Sequence, residues 1–198
     1  MPNCTLKISR DWTQCFERRW RMKMMKNNIQ AVRGYNFTHR DKLFIDANIW
    51  LFLYGPQRRR GRRVTIYSRA FKSILNAKSQ IYIDVLIVSE FINRYARLKW
   101  QLAASCYGDF KNFRNSAHFK PVAQDIAADV KRVIGHCSRI ESGFATLVID
   151  DLLNDYAAGD SDFNDQVITE LCKHNGLTLI TNDRDFRSQE IPILTAYP

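Results

Sequence analysis

The 198-residue sequence predicts an α/β domain built on a mostly parallel sheet. Two observations predict it. Apolar runs of strand length alternate with longer segments whose apolar residues recur at helical spacing. The runs are solidly apolar, as suits strands buried on both faces. Right-handed crossovers then place helices on both sides of the sheet.

The elements can be justified in order. Leu43-Phe44-Ile45 is a short buried strand, and Asp46 stands at its end. Gly55-Pro56 closes that segment, and a basic loop follows with Arg58, Arg59, Arg60, Arg62 and Arg63. Residues 64–77 space Ile66, Ala70, Ile74 and Ala77 along one helical face. Residues 81–83 are a second strand. Asp84 can cap a helix running to about Trp100, with Phe91, Tyr95 and Leu98 on one side. Residues 109–117 are polar and aromatic, and Pro121 can open a further helix carrying Val122, Ile126, Val130 and Val133. Residues 146–149 read as a third strand. A helix over 163–174 follows, with Gly176 as its natural cap. Residues 177–181 and 193–196 are the last two strands. There is no internal repeat and no linker, so residues 42–198 form one domain. Residues 1–41 lack a clear period and read as a basic extension, either poorly ordered or an over-extended start, with Met24 and Met25 as alternative initiators.

Composition narrows the function. The chain carries 30 Lys and Arg against 20 Asp and Glu, a net charge of +10, which favours polyanionic partners. The charge is uneven. Residues 1–79 hold 18 Lys and Arg against 4 Asp and Glu, a balance of +14; residues 80–198 hold 12 against 16, a balance of −4. The five cysteines are scattered without metal-ligand spacing, so neither a disulfide framework nor a zinc ribbon is indicated. A reducing, cytoplasmic setting fits. No apolar run approaches the roughly 20 residues needed to span a bilayer, and residues 1–40 contain no secretory core.

The acidic stretch from Asp150 to Asp165 invites a calcium-loop reading. Asp160, Asp162 and Asn164 fit its first three ligand positions, but the required Gly is Asp165 and the closing Glu is Leu171. The loop could neither turn nor close as an EF-hand does.

Other carboxylates fall where a parallel sheet binds ligands, outside the carboxyl ends of its strands. Asp46 ends the first strand and Asp183 follows the fourth. Asp162 and Asp165 open the helix that feeds the fourth, three apart and so on one face. Glu90 lies in the helix after the second strand. Each has an ordinary reading. Asp162 can be a cap with Asp165 behind it, Glu90 can pair with Arg94 one turn on, and Asp183 can hold a turn. Asp46 resists this, because a carboxylate amid apolar neighbours is costly to bury unless paired or metal-bound. Converging carboxylates repel unless a hard cation neutralises them. Mg²⁺ or Mn²⁺ suits such oxygen ligands and activates water at phosphate. A basic region beside an acidic site suggests phosphodiester hydrolysis.

Four blocks carry a resemblance: Phe44-Ile-Asp46-Ala-Asn48, Val88-Ser-Glu90-Phe-Ile-Asn93, Asp162-Phe-Asn-Asp165-Gln-Val-Ile168 and Leu179-Ile-Thr181-Asn-Asp183-Arg-Asp185-Phe186. In this order the sequence resembles the PIN-domain ribonuclease family, and within it the VapC-type toxins of toxin–antitoxin pairs. The resemblance covers residue 42 to the C-terminus. It implies a three-layer α/β/α sandwich and a metal-dependent endoribonuclease. It also implies that Asp46, Glu90, Asp165 and Asp183 surround Mg²⁺ or Mn²⁺, with Asp162 as a further ligand or support. Asn48 and Thr181 resemble the polar residues that orient such a quartet, and Asp185 a common residue of the last block. Metal-activated water would attack the phosphorus in line and the 3′ oxygen would leave. His39, His118, His136 and His174 lie outside the blocks. RNA is the expected substrate, a small antitoxin and a second copy the expected partners, and Arg58, Arg59, Arg60, Arg62 and Arg63 a grip on RNA or on an acidic antitoxin segment. The competing expectations are a catalytically weak PIN module that binds RNA or protein, and a structure-specific DNA nuclease.

Overall fold

The computed structural model describes residues 28–56, 61–159 and 162–198. Six strands form one sheet, β1 (Ile29–Ala31), β2 (Lys42–Ile45), β3 (Gln80–Ile83), β4 (Ser138–Arg139), β5 (Thr178–Ile180) and β6 (Ile193–Thr195). Every pairing is parallel and the order is β1-β6-β5-β2-β3-β4. The helices are α1 (Ala47–Tyr54), α2 (Arg62–Ala77), α3 (Val85–Tyr107), α4 (Phe110–Asn115), α5 (Phe119–Gly135), α6 (Ile149–Ala158) and α7 (Phe163–Asn175). Helices α1 to α5 form one connected group and α6 packs on α7. The chain crosses outward through β3 to β4, then back past β2 to β5. With right-handed crossovers, that reversal puts the two helix groups on opposite faces. The result is the expected three-layer α/β/α sandwich.

The apolar runs behave as buried parallel strands should. Leu43, Phe44, Ile45, Leu179 and Ile180 are at most 1% exposed. Trp50 on α1 and Tyr67 on α2 fill the space above them. Each such large side chain contributes about 1.5–3 kcal/mol by leaving water. Asp84 caps α3 as expected, its Oδ1 accepting from the Ile87 N–H at 3.0 Å. Gly176 closes α7 at φ 62°, where a Cβ would be strained.

The structure departs from the sequence reading in three places. Residues 146–149 are not a strand. Gly143, at φ 71°, starts a 3₁₀ turn over Phe144–Thr146, and α6 begins at Ile149. Val148 is 64% exposed, so the apolar run there is not core. Asp150 and Asp151 in the first turn of α6 suit a helix N-terminus. The strand in that part of the fold is instead β4, an edge strand of two exposed polar residues without hydrophobic pattern. Second, the domain begins before residue 42. Within the supposed extension, β1 pairs with β6 from Ile29↔Ile193 to Ala31↔Thr195, and Val32 and Phe37 join the core. Third, α3 runs seven residues past Trp100, and residues 110–115 form α4, capped by Asp109. Readings that concerned residues 1–27, Asp160 and the arginines at 58–60 lie outside the described residues.

Among the described residues no helix is long and apolar enough to cross a membrane.

Candidate functional site

The chain reverses its direction across the sheet between β2 and β5. Open parallel sheets bind ligands at that switch point, outside the carboxyl ends of the strands. The register pairs Ile45 with Ile180, so the next residues, Asp46 and Thr181, stand side by side. The Asp46 N–H donates to the Ile180 carbonyl at 3.1 Å, which extends the ladder one step.

Asp46 is 4% exposed and caps α1. Its Oδ1 accepts from the Asn48 N–H at 3.2 Å, and its Oδ2 from Asn48 Nδ2 and Thr181 Oγ1, both at 2.5 Å. The cap fixes its position and the side-chain donors fix its orientation. Asn48 Nδ2 also donates to Thr181 Oγ1 at 3.2 Å, and its Oδ1 accepts from the Asn182 N–H at 3.3 Å. This network sets which way the amide faces. Thr181 is fully buried, and its hydroxyl further accepts from the Asp183 N–H at 3.0 Å. Asp183 Oδ1 then accepts from the Asp185 N–H at 3.2 Å, the turn geometry expected of an Asx residue. A single ladder of bonds therefore runs from Asp46 through Thr181 to Asp183.

Glu90 sits on α3, after β3 and next to β2. It pairs with Arg94 at 2.7 Å, the one-turn pair that the spacing allowed. Asp162 caps α7, accepting from the Asn164 N–H at 2.9 Å, and Asp165 stands three residues on in the first turn. The ordinary readings of these residues thus hold. The caps and turns are the means by which the backbone aims the carboxylates.

Their charges reach Asp165. Burial pushes the Asp165 carboxyl up to about 7, and the charges of Asp183, Asp46, Asp162 and Glu90 push the same way. Burial likewise lifts Asp46 to about 6; the Thr181 hydrogen bond opposes this, Glu90 adds to it, and Asn48 and Arg94 pull it back. The other four acidic residues singled out in the sequence as metal ligands therefore act on Asp165, and Glu90 acts also on Asp46. Asp185 is exposed and enters through its backbone N–H. Arg62 and Arg63 open α2 and are exposed.

Tyr67 and Arg94 complete the surroundings, and neither was singled out in the sequence as part of the site. The Tyr67 hydroxyl donates to the Thr181 carbonyl at 3.1 Å and accepts from the Ala196 N–H at 2.9 Å. Its partners lie more than 110 residues away, so no local pattern marks it. Arg94 was visible only as the partner of Glu90.

Among the described residues no three His, Cys, Asp or Glu side chains form a ready-made metal group. The donors still fit a hard divalent cation, since all are oxygens and four carboxylate charges burden a fifth. Such a cation would relieve the repulsion that raises Asp165.

A model of the PIN domain matches residues 43–191. No curated protein matches the chain. Among solved structures, the crystal structure of PAE2754 from Pyrobaculum aerophilum is similar over 80% of this chain and 90% of that one, at 16% identity and a TM-score of 0.45.

Proposed function

The chain belongs to the PIN-domain family, and from that premise we propose that it is a Mg²⁺- or Mn²⁺-dependent endoribonuclease. PIN domains are generally metal-dependent nucleases, so the fold carries the coarse part of this reading. The finer part is supported by Asp165, whose carboxyl is lifted by burial to about 7, with the charges of Asp183, Asp46, Asp162 and Glu90 pushing the same way. Asp46, Glu90, Asp165 and Asp183 would hold the ion, with Asp162 beside them. When bound, the cation supplies Lewis acidity, lowering the pKa of water and neutralising charge at phosphorus.

The chain's own residues supply position. Thr181 and Asn48 hold Asp46 in one orientation. The Thr181–Asp183 bond fixes the second carboxylate relative to the first. Arg94 holds Glu90 and tempers the negative field. The exposed Arg62 and Arg63 could meet phosphates of a strand lying over the carboxyl edge of the sheet.

The test is cleavage of a structured RNA panel with Mg²⁺, with Mn²⁺ and with chelator, beside Asp46→Asn and Asp183→Asn. Cleavage that needs metal and both carboxylates is the expected result. Cleavage that survives chelation, or both substitutions, defeats the proposal. A matched single-stranded DNA panel decides between RNA and DNA. The toxin role, with a small antitoxin as partner and a homodimer as assembly, is proposed on the four sequence blocks. It predicts growth arrest on expression, relieved by Asp46→Asn and by co-expression of a small DNA-binding protein encoded beside it.

A further inference from the structure

We propose that the cavity between residues 32–37 and helix α2 is a second, non-catalytic subsite that takes the phosphate and base of one nucleotide in a single strand. It rests on the nuclease reading above only for the choice of strand as ligand.

The cavity has a volume of about 360 Å³ and is walled by Arg33, Tyr35, Arg62 and Arg69, with Thr65 and Ser73 along α2. Arg62, Thr65, Arg69 and Ser73 recur at one-turn spacing, so a single face of α2 forms one wall. The opposite wall is the turn that follows β1. Three arginines thus line one cavity, and a guanidinium can grip phosphate with two parallel N–H groups. Tyr35 packs against Phe37, ring centroids 4.8 Å apart, which supplies an aromatic surface beside the charges. Asp41 is the carboxylate in reach of this wall, and it engages the Tyr35 hydroxyl. Guanidinium beside aromatic is the combination that holds single strands, phosphate on the one and base on the other.

The position is what makes it a subsite of the same strand. All six strands are parallel, so Arg33, directly after β1, and Arg62, at the start of α2, lie toward the same sheet edge as Asp46, while Tyr35, Arg69 and Ser73 lie further down the face, toward the edge where Asp41 precedes β2. The order β2-β5-β6-β1 separates Asp46 from Arg33 by three strand spacings, about 14 Å. Between them lies Tyr197, two residues beyond β6 and 40% exposed. The guanidiniums of Arg62 and Arg63 lie 5.9 and 6.0 Å from its ring centroid. Arg187 donates to its carbonyl, and Tyr67 receives the neighbouring Ala196 N–H. Tyr67 also bonds Thr181, so the segment before this ring is tied to the loop that carries Asp183. The carboxylates, Tyr197 and the Arg33–Arg62 mouth of the cavity lie along one edge, within the span of a few nucleotides, and the cavity leads from there down the face of α2.

The test is binding of a labelled single-stranded RNA to the full chain in chelator, where cleavage is blocked, over a salt series. Arg33→Gln/Arg69→Gln should weaken binding about tenfold and make the salt slope shallower by about 1.4. Arg33→Lys/Arg69→Lys should restore the slope. Tyr197→Ala should weaken binding about tenfold and Tyr197→Phe should not. A DNA strand of the same sequence shows whether the subsite reads the sugar. A duplex should bind without any effect of the Gln pair, because the cavity has no room for a base pair. The proposal falls if the Gln pair, with unchanged circular dichroism and melting, binds RNA with the parent's affinity and slope. It falls also if the Lys pair behaves as the Gln pair. Absence of metal-dependent cleavage by the parent would instead remove the nuclease reading and leave this result standing.

Discussion

The hydroxyl of Thr181 donates to Oδ2 of Asp46 across 2.5 Å and so joins the ends of two neighbouring parallel strands. Its one proton goes to Asp46, and its lone pairs receive Asn48 Nδ2 and the Asp183 N–H. A buried hydroxyl with every partner used is a hub that a methyl cannot replace. Thr181→Val should lose about 1–3 kcal/mol in urea denaturation, because the half-buried Asp183 N–H loses its acceptor, Asn48 Nδ2 loses one of two, and Asp46 loses a donor. Metal-dependent cleavage should fall at least about tenfold. Thr181→Ser should restore most of both.

Tyr67 ties the same loop to the strand beside it. Its hydroxyl is buried and bonds both the Thr181 carbonyl and the Ala196 N–H. Tyr67→Phe keeps the ring in the core and leaves the amide without its acceptor, a cost of about 1–3 kcal/mol. The loss should appear as faster amide exchange at Ala196 as well as a lower melting temperature. An unchanged exchange rate would mean that the bond does not hold the strand end.

The raised carboxyls make stability depend on pH. Asp46 and Asp165 move from an ordinary 3.8 up to about 6 and about 7 on folding. The folded chain therefore binds more protons than the unfolded chain across that interval, and stability must fall as pH rises through it. In chelator, the melting temperature should be higher near pH 5 than near pH 8. Added Mn²⁺ should raise it more at the higher pH, where the carboxylates are ionised. Asp165→Asn should flatten the profile.

Arg94 holds a positive charge against the acidic cluster, paired to Glu90 at 2.7 Å and lowering the pKa of Asp46. A metal ion would compete with that charge. Arg94→Ala should tighten Mn²⁺ binding by up to about fivefold, the size of a partly exposed ion pair, as read by calorimetry. Weaker binding would show instead that the guanidinium organises Glu90 for the ion.

The sequence by itself determined the α/β class and the strands β2, β3, β5 and β6, and it singled out five acids as candidates. Those features are local. A solid apolar run is a buried strand wherever it falls, and Asp162 caps a helix because of the residues that follow it. Three things were decided only by the tertiary structure. Strands β1 and β4 lie at the sheet edges, where pairing comes from a neighbour and burial leaves little pattern in the chain. The run at 146–149 is apolar yet exposed, so hydrophobicity alone misassigned it. The site itself depends on register. Asp46 and Thr181 are 135 residues apart and meet only because β2 and β5 pair from Leu43↔Thr178 to Ile45↔Ile180. Burial lifts Asp165, and the charges that add to it come from residues far apart in sequence, since Coulomb energy depends on distance in space rather than separation along the chain.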